Sequence, residues 1–246
     1  MSTEALEQTL VLIKPDALKL SLTGYLLSQL SEFHTGLRLA ALKIAQVNDM
    51  LAAEHYAEHR GKFFYPPLIE YIRGKLHYPN EPGKRRVVAI VYSGSDAVKI
   101  IRKIAGPTSP HVARDTAPGT VRALGTVVPV KDASGAVVGE RMDNLVHASA
   151  TVEEAEREIK LWFEPRDIMP YMRIYATATC QEHYYYQDGS LVLEHVPGSI
   201  SLLAPGVKAW ASDLAALQAL AQCKPASTPL DSVAAKYLIN REPEPN

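Results

Sequence analysis

Residues 143–163 read DNLVHASATVEEAEREIKLWF, and the fold turns on how this stretch is read. Residues 143–147 form a short run with two aliphatic side chains and a terminal histidine, the pattern of a last core strand. Four residues on, Thr151-Val152-Glu153-Glu154 has the spacing of a capping box, in which the threonine hydroxyl and the glutamate carboxylate satisfy exposed helix N–H groups. The helix it opens would bury Val152, Ala155, Ile159 and Trp162, with Glu158 on the border of that apolar face. A strand ending in His147 would therefore feed a helix carrying a carboxylate back toward it.

Upstream, Leu10-Val11-Leu12-Ile13 is short and continuously apolar, which suits a strand buried on both faces, and Lys14-Pro15 ends it. Leu22, Leu26, Leu30 and Phe33 recur at helical spacing before Gly36. Residues 37–47 read as a second strand. Asn48 or Asp49 would cap a helix over residues 51–59, and residues 64–76 read as another helix. Residues 87–92 are β-branched and apolar, a third strand, and Ser95 or Asp96 would cap the helix carrying Val98, Ile101 and Ile104. Residues 106–123, rich in proline, glycine, serine and threonine, read as a long ordered loop.

This order predicts an α+β fold: a ferredoxin-like split βαβ, four-stranded antiparallel sheet with helices packed on one face. Residues 1–170 would form that domain. Residues 171–246 would be a C-terminal extension of unknown role, docked on the core or on a neighbouring subunit. Tyr184-Tyr185-Tyr186-Gln187, Asp188-Gly189 and Ser190-Leu191-Val192-Leu193 signal a hairpin, residues 207–222 a helix, and residues 240–246 a disordered tail.

Twenty-six basic residues oppose 27 acidic ones among 246, so no bulk attraction to nucleic acid or a membrane surface is expected. No secretion signal opens the chain and no apolar run could span a bilayer. Cys180 and Cys223 are isolated, which fits a reduced, cytoplasmic protein. There is no G-x-x-x-x-G-K-[ST] and no G-x-G-x-x-G after a strand, so phosphate would have to be held by scattered groups.

Such groups exist, in segments that together resemble the nucleoside diphosphate kinase family. They are TLVLIKPD at 9–16, EHY at 54–56, the stretch 102–110 containing GPT at 106–108, PGTVR at 118–122, NLVH at 144–147 with Ser149, and EEAEREIKLWF at 153–163. The resemblance implies ping-pong transfer of a γ-phosphoryl group through a phosphohistidine on His147, with Glu158 orienting the ring and Ser149 supporting it. It implies that Arg102, Thr108 and Arg122 clamp phosphates, and that Lys14 and Tyr56 approach the transferred group. Asn144 with Lys14 would bind the ribose, and Phe64 with Leu68 would stack the base without reading it. Mg²⁺ would arrive on the nucleotide with no protein metal cage, and a homo-oligomer, hexamer or tetramer, is the family habit. Glu58 is a further candidate near Tyr56.

The sequence also departs from the family. Residues 122–144 run about a dozen residues longer, with an added hairpin predicted over Val127-Val128-Pro129-Val130 and Ala136-Val137-Val138, turning at Ser134-Gly135. Ala148 stands where glycine is usual, a strained choice if that position needs φ > 0. Two other function classes compete: a nucleotide-binding module without turnover, and a zinc protease on the H-x-x-E-H pattern of His55-Tyr56-Ala57-Glu58-His59, whose histidines would share a helix face.

Overall fold

The structure, a computed structural model, describes residues 6–131 and 134–240. Its central sheet has the order β2-β3-β1-β6 with every pairing antiparallel. The strands are β1 (Glu7–Ile13), β2 (Arg38–Ala45), β3 (Val87–Gly94) and β6 (Val146–Ala148). Between them run α1 (Pro15–Lys19), α2 (Thr23–Gln29), α3 (Glu32–Thr35), α4 (Asp49–His55), α5 (Tyr65–Ile72), α6 (Ala97–Ala105) and α7 (Pro110–Thr116), and α8 (Val152–Trp162) closes the unit. A hairpin of β4 (Thr126–Lys131) and β5 (Val137–Asp143) stands apart from the sheet.

The continuous apolar run of β1 has its explanation in the layers. Leu10 and Leu12 face Leu51, Ile159 and Trp162, whereas Val11 and Ile13 face Leu26, Leu30, Ile101 and Ala105. Helices thus cover both faces of the central strands, not one face as expected from the element order. The outer strand β2 leaves Leu42 and Ile44 exposed at the sheet's edge.

Several local expectations are corrected. The helix expected around residues 22–33 is two short ones, and Phe33 is 94% exposed because α3 turns away at Ser31 before Gly36 caps it at φ 69°. Asp96 does sit at the start of α6 but at φ 53° with no side-chain cap; the carboxylate of Glu7 accepts from the Val98 N–H instead. Asn48 caps α4 as expected, accepting from Leu51 N–H at 2.7 Å. Thr151 accepts from Glu154 N–H at 3.1 Å, while the Glu154 carboxylate reaches one residue further back, to Ala150 N–H. Val152 is 40% exposed, since the inward face of α8 begins one turn later with Ala155, Glu158 and Ile159. The long loop 106–123 contains α7, a piece of helix that its prolines and glycines concealed.

The expected last strand over residues 143–147 is split. Asp143 ends the hairpin strand β5, Leu145 adopts φ 68°, and pairing resumes only at Val146. That left-handed turn is held from both sides: Asp16 Oδ2 accepts the Leu145 N–H, and the Leu145 carbonyl accepts the Lys14 N–H, each at 2.9 Å. Ala148, the residue flagged for strain, has no positive φ and pairs with Val11 inside β6.

Beyond residue 170, β7 (Thr177–Thr179) pairs with β11 (Lys208–Trp210), and β8 (Tyr184–Gln187) lies between β9 (Ser190–Val192) and β10 (Ile200–Leu203). The Asp188-Gly189 turn has both residues at positive φ, as a tight hairpin requires. Residues 208–210 are strand, and the expected helix begins only at α9 (Ala211–Ala221); α10 (Leu230–Ala234) follows. The extension buries its own cluster around Tyr184, Leu203 and Leu217. It also inserts Trp210 into the main core, with the indole N–H on the Phe163 carbonyl at 2.7 Å. Ser232 donates to the Glu54 carboxylate on α4, and Asn240 is hydrogen-bonded to Ile44 and Gln46 at β2. The rest of the expected tail lies outside the described residues.

Candidate active site

A cleft of about 850 Å³ opens beside the end of β6 and the start of α8. Ten of the eleven expected site residues line it: Lys14, Tyr56, Phe64, Leu68, Arg102, Thr108, Arg122, Asn144, His147 and Glu158. Ser149 lies behind it. Elements far apart in sequence converge here because β1 and β6 are neighbours, so that Leu12 is the strand partner of His147.

His147 is held from one side. Its Nε2 lies 2.9 Å from Glu158 Oε2, and the same oxygen accepts the Ser149 hydroxyl at 2.7 Å. Ser149 Oγ in turn accepts the Leu10 N–H at 3.2 Å, which ties the relay to β1. Burial by itself would raise the Glu158 carboxyl, but the charge and hydrogen bond of His147, aided by His55 and Ser149, hold it down at about 2. An ionised Glu158 can only accept, so neutral His147 carries its proton on Nε2 and keeps the Nδ1 lone pair free.

Behind this pair is His55, which sequence reasoning placed in the EHY segment and in a zinc pattern but gave no role in the site. Its ring centroid is 4.5 Å from that of His147, and its Nδ1 accepts the Trp162 indole N–H at 3.2 Å. Burial first, then the neighbouring His147, pushes His55 well below the usual imidazole range, so it is neutral. The only signal for it was its place beside Tyr56. The zinc pattern itself fails geometrically: α4 stops at His55, and residues 57–59 form a 3₁₀ turn in which His59 stacks on Tyr56. Among the described residues, His55, His147 and Glu158 do bring one potential ligand atom each within 4.8 Å of one another.

The cationic wall is built on a close backbone approach. A Cβ at Gly106 would stand 2.1 Å from Thr120 Oγ1, and the residue has φ 82°, so only glycine lets the two loops meet. Arg122 then donates to the Gly106 carbonyl at 2.8 Å and to the Val146 carbonyl at 3.2 and 3.3 Å. Burial, with help from Arg102, lowers it to about 10, so it remains a cation at neutral pH. Lys14 Nζ donates to Asn144 Oδ1 at 2.7 Å, and Asn144 Nδ2 donates to the Thr108 carbonyl at 2.9 Å. Burial lowers Lys14 to about 8, against the pull of Asp16 and Asp143 and with the push of Arg122. Tyr56 Oη is buried with no hydrogen-bond partner among the described residues, and burial raises its hydroxyl far above the usual range, so it is a waiting donor.

At the opposite end, Phe63 and Phe64 meet edge to face, and Leu68 follows one turn into α5. The added hairpin, found where it was expected, lies across this end: a Cβ on Gly139 would be 3.6 Å from the Phe63 ring. Glu58 lines the cleft with its carboxylate largely in solvent.

Comparison with known proteins agrees with this geometry. The family profile described as nucleoside diphosphate kinase matches residues 7–168. The nucleoside diphosphate kinase of Pyrococcus furiosus is 38% identical over 167 residues, covering 68% of this chain and 89% of its own. That of Thermus thermophilus is 37% identical over 164 residues, 67% of this chain and all of its own. The crystal structure of the Aquifex aeolicus nucleoside diphosphate kinase superposes with a TM-score of 0.53 at 32% identity, covering 67% of this chain and all of that one. The family profile ends at residue 168, before the C-terminal extension.

Proposed function

The chain belongs to the nucleoside diphosphate kinase family, and on that premise we propose how its own residues carry the reaction. The enzyme transfers the γ-phosphoryl group of a nucleoside triphosphate to a nucleoside diphosphate in two half-reactions. In the first, His147 Nδ1 attacks the γ-phosphorus, the bond to the β–γ bridging oxygen breaks, and the diphosphate leaves with that electron pair. In the second, a terminal β-phosphate oxygen of another diphosphate attacks the same phosphorus and the N–P bond breaks. The observation that carries this reading is the His147–Glu158–Ser149 relay, which presents one imidazole nitrogen unprotonated in a cleft walled by Lys14, Arg102 and Arg122.

Each group has a role suited to its surroundings. Arg102, Arg122 and Thr108 would hold the non-transferred phosphates, where charge stabilisation matters more than covalent help. The partnerless Tyr56 hydroxyl and the Lys14 ammonium would meet the equatorial oxygens of the moving group. Asn144, already bonded to Lys14, would take the ribose, and Phe64 with Leu68 the base. Nucleotides are used with a divalent cation in this family. Here Mg²⁺ bound to the nucleotide fits best, because two buried carboxylates at the cleft are committed: Glu158 to His147 and Ser149, Asp143 to His77 and Arg141. The cation would neutralise charge spread over the β- and γ-oxygens. Exposed Leu42 and Ile44 on the edge strand β2 support assembly into a homo-oligomer. No described helix is long and apolar enough to cross a membrane.

The test is chemical. Incubation with γ-labelled ATP and Mg²⁺ should place acid-labile phosphate on His147, and His147→Ala should reduce transfer by on the order of 10⁴-fold or more. A variant retaining a tenth of the original rate would end the assignment.

A further inference from the structure

The β4–β5 hairpin has no part in the mechanism above, yet it shares the cleft with Phe64 and Leu68. Along β5 the side chains alternate. Gly139, Arg141 and Asp143 are the less exposed residues and Val138, Glu140 and Met142 the more exposed ones, and residues 138–142 all border the cleft. Gly139 lies against Phe63, where a Cβ would make ordinary contact with the ring at 3.6 Å, and Asp143 at the strand's root adjoins Asn144, the residue assigned to the ribose. Arg141 therefore stands on the wall between the ribose position and the aromatic end.

Its guanidinium is not free to wander. Asp143 accepts from Nε–H at 2.7 Å and from Nη2–H at 3.0 Å, and the same carboxylate is braced by His77 Nε2 at 2.9 Å. That uses one edge of a planar group with five N–H donors. Its other edge, Nη1–H with the second Nη2–H, has no protein acceptor among the described residues, and Arg141 is one of the residues lining the cleft. A fork already pinned on one side gives up little further freedom when it binds on the other.

We propose that this hairpin is a base-reading wall, on which Arg141 presents its free fork to the O6 and N7 acceptors of a guanine stacked on Phe64. The proposal rests on the kinase reading, since it needs the nucleotide seated with its phosphates at His147. Stacking alone favours no base, because every base offers a π-face. A guanidinium fork does discriminate: guanine offers two adjacent acceptors, whereas adenine replaces one with an N–H donor and cytosine offers a donor at the corresponding edge. The enzyme should accept all nucleotides and prefer guanine ones, on the order of tenfold.

The experiment uses the full chain. Phosphoenzyme prepared with ATP is mixed with GDP, ADP or CDP in the presence of Mg²⁺, and the rate of phosphate loss from His147 is compared. Equilibrium binding of the same three diphosphates to unphosphorylated enzyme is measured in parallel. GDP should exceed ADP and CDP about tenfold in both, and Arg141→Gln should bring the ratio to within about twofold. Equal handling of the three diphosphates by the unaltered enzyme would overturn the proposal without needing any variant, as would an unchanged ratio in an Arg141→Gln protein that melts normally. If no phosphoenzyme formed at all, the kinase reading would fall, and the binding ratios would still decide whether the hairpin reads the base.

Discussion

Replacing Glu158 by glutamine keeps the shape of the relay and removes its charge. In the native site one carboxylate oxygen accepts from both His147 Nε2 and Ser149 Oγ, while the other lies 3.9 Å from His55 Nδ1 and 3.7 Å from Arg157 Nη2. A glutamine oxygen facing His147 would preserve both hydrogen bonds, but its NH₂ would then point toward the Arg157 cation. The flipped amide would donate to Nε2, which moves the imidazole proton to Nδ1 and blocks the nucleophile. Either way a hydrogen bond to a charged group is lost or weakened, a cost of about 2–3 kcal/mol. That corresponds to roughly a 100-fold slower formation of phosphohistidine. Rapid-quench measurement with labelled ATP at pH 7.5 reads it directly. Stability offers a second readout. Glu158 falls from 4.5 to about 2 in the folded protein, worth about 3 kcal/mol at 1.36 kcal/mol per pH unit. A depressed carboxyl contributes stability above pH 4.5 and loses it as the pH falls through about 2. The variant should therefore be less stable at pH 6, and the gap should close toward pH 2. Phosphorylation within threefold of the native rate, or parallel acid-unfolding curves, would refute the reasoning.

Three further outcomes follow from burial. Because burial brings Lys14 to about 8, kcat/KM should fall about tenfold per pH unit above pH 8, with kcat holding to higher pH once phosphate is bound; a profile flat to pH 10 would contradict the role given to Lys14. The same depression means the folded chain holds fewer protons than the unfolded one between about pH 8 and 10.5, so Lys14 makes the unliganded protein more stable as the pH rises through that window. Residues 171–246 are proposed to brace the core and supply no chemistry. Trp210→Ala, which empties a fully buried site and orphans the Phe163 carbonyl, should cost about 3–5 kcal/mol in urea unfolding yet leave phosphate uptake on His147 intact. Loss of phosphorylation with an unchanged unfolding midpoint would assign the extension to the active site instead.

Much of the site was legible because its signals are local. Lys14 ends an apolar run at a proline and Thr151 caps a helix; each leaves a mark within a few residues. Asp96 and Phe33 misled for the same reason. Cap and period are local preferences, and a distant carboxylate on Glu7 or a short turn at Ser31 outweighs them.

Alone, the sequence determined most strands and helices of the main domain and the presence of the added hairpin, since hydrophobic periodicity and turn chemistry are properties of neighbours along the chain; the residues expected to meet phosphate came from the family resemblance. Only the tertiary structure decided what those elements touch. Pairing β1 with β6 sets His147 opposite Leu12, Asp16 and Lys14 hold Leu145 in a left-handed turn, and α4 ends so that buried His55 lies against the nucleophile. The same packing lays Gly139 on Phe63 and drives Trp210 into a core formed some fifty residues earlier. Such contacts join residues separated by tens to hundreds of positions, and their free energy comes from surface buried between elements, which no local pattern in either partner records.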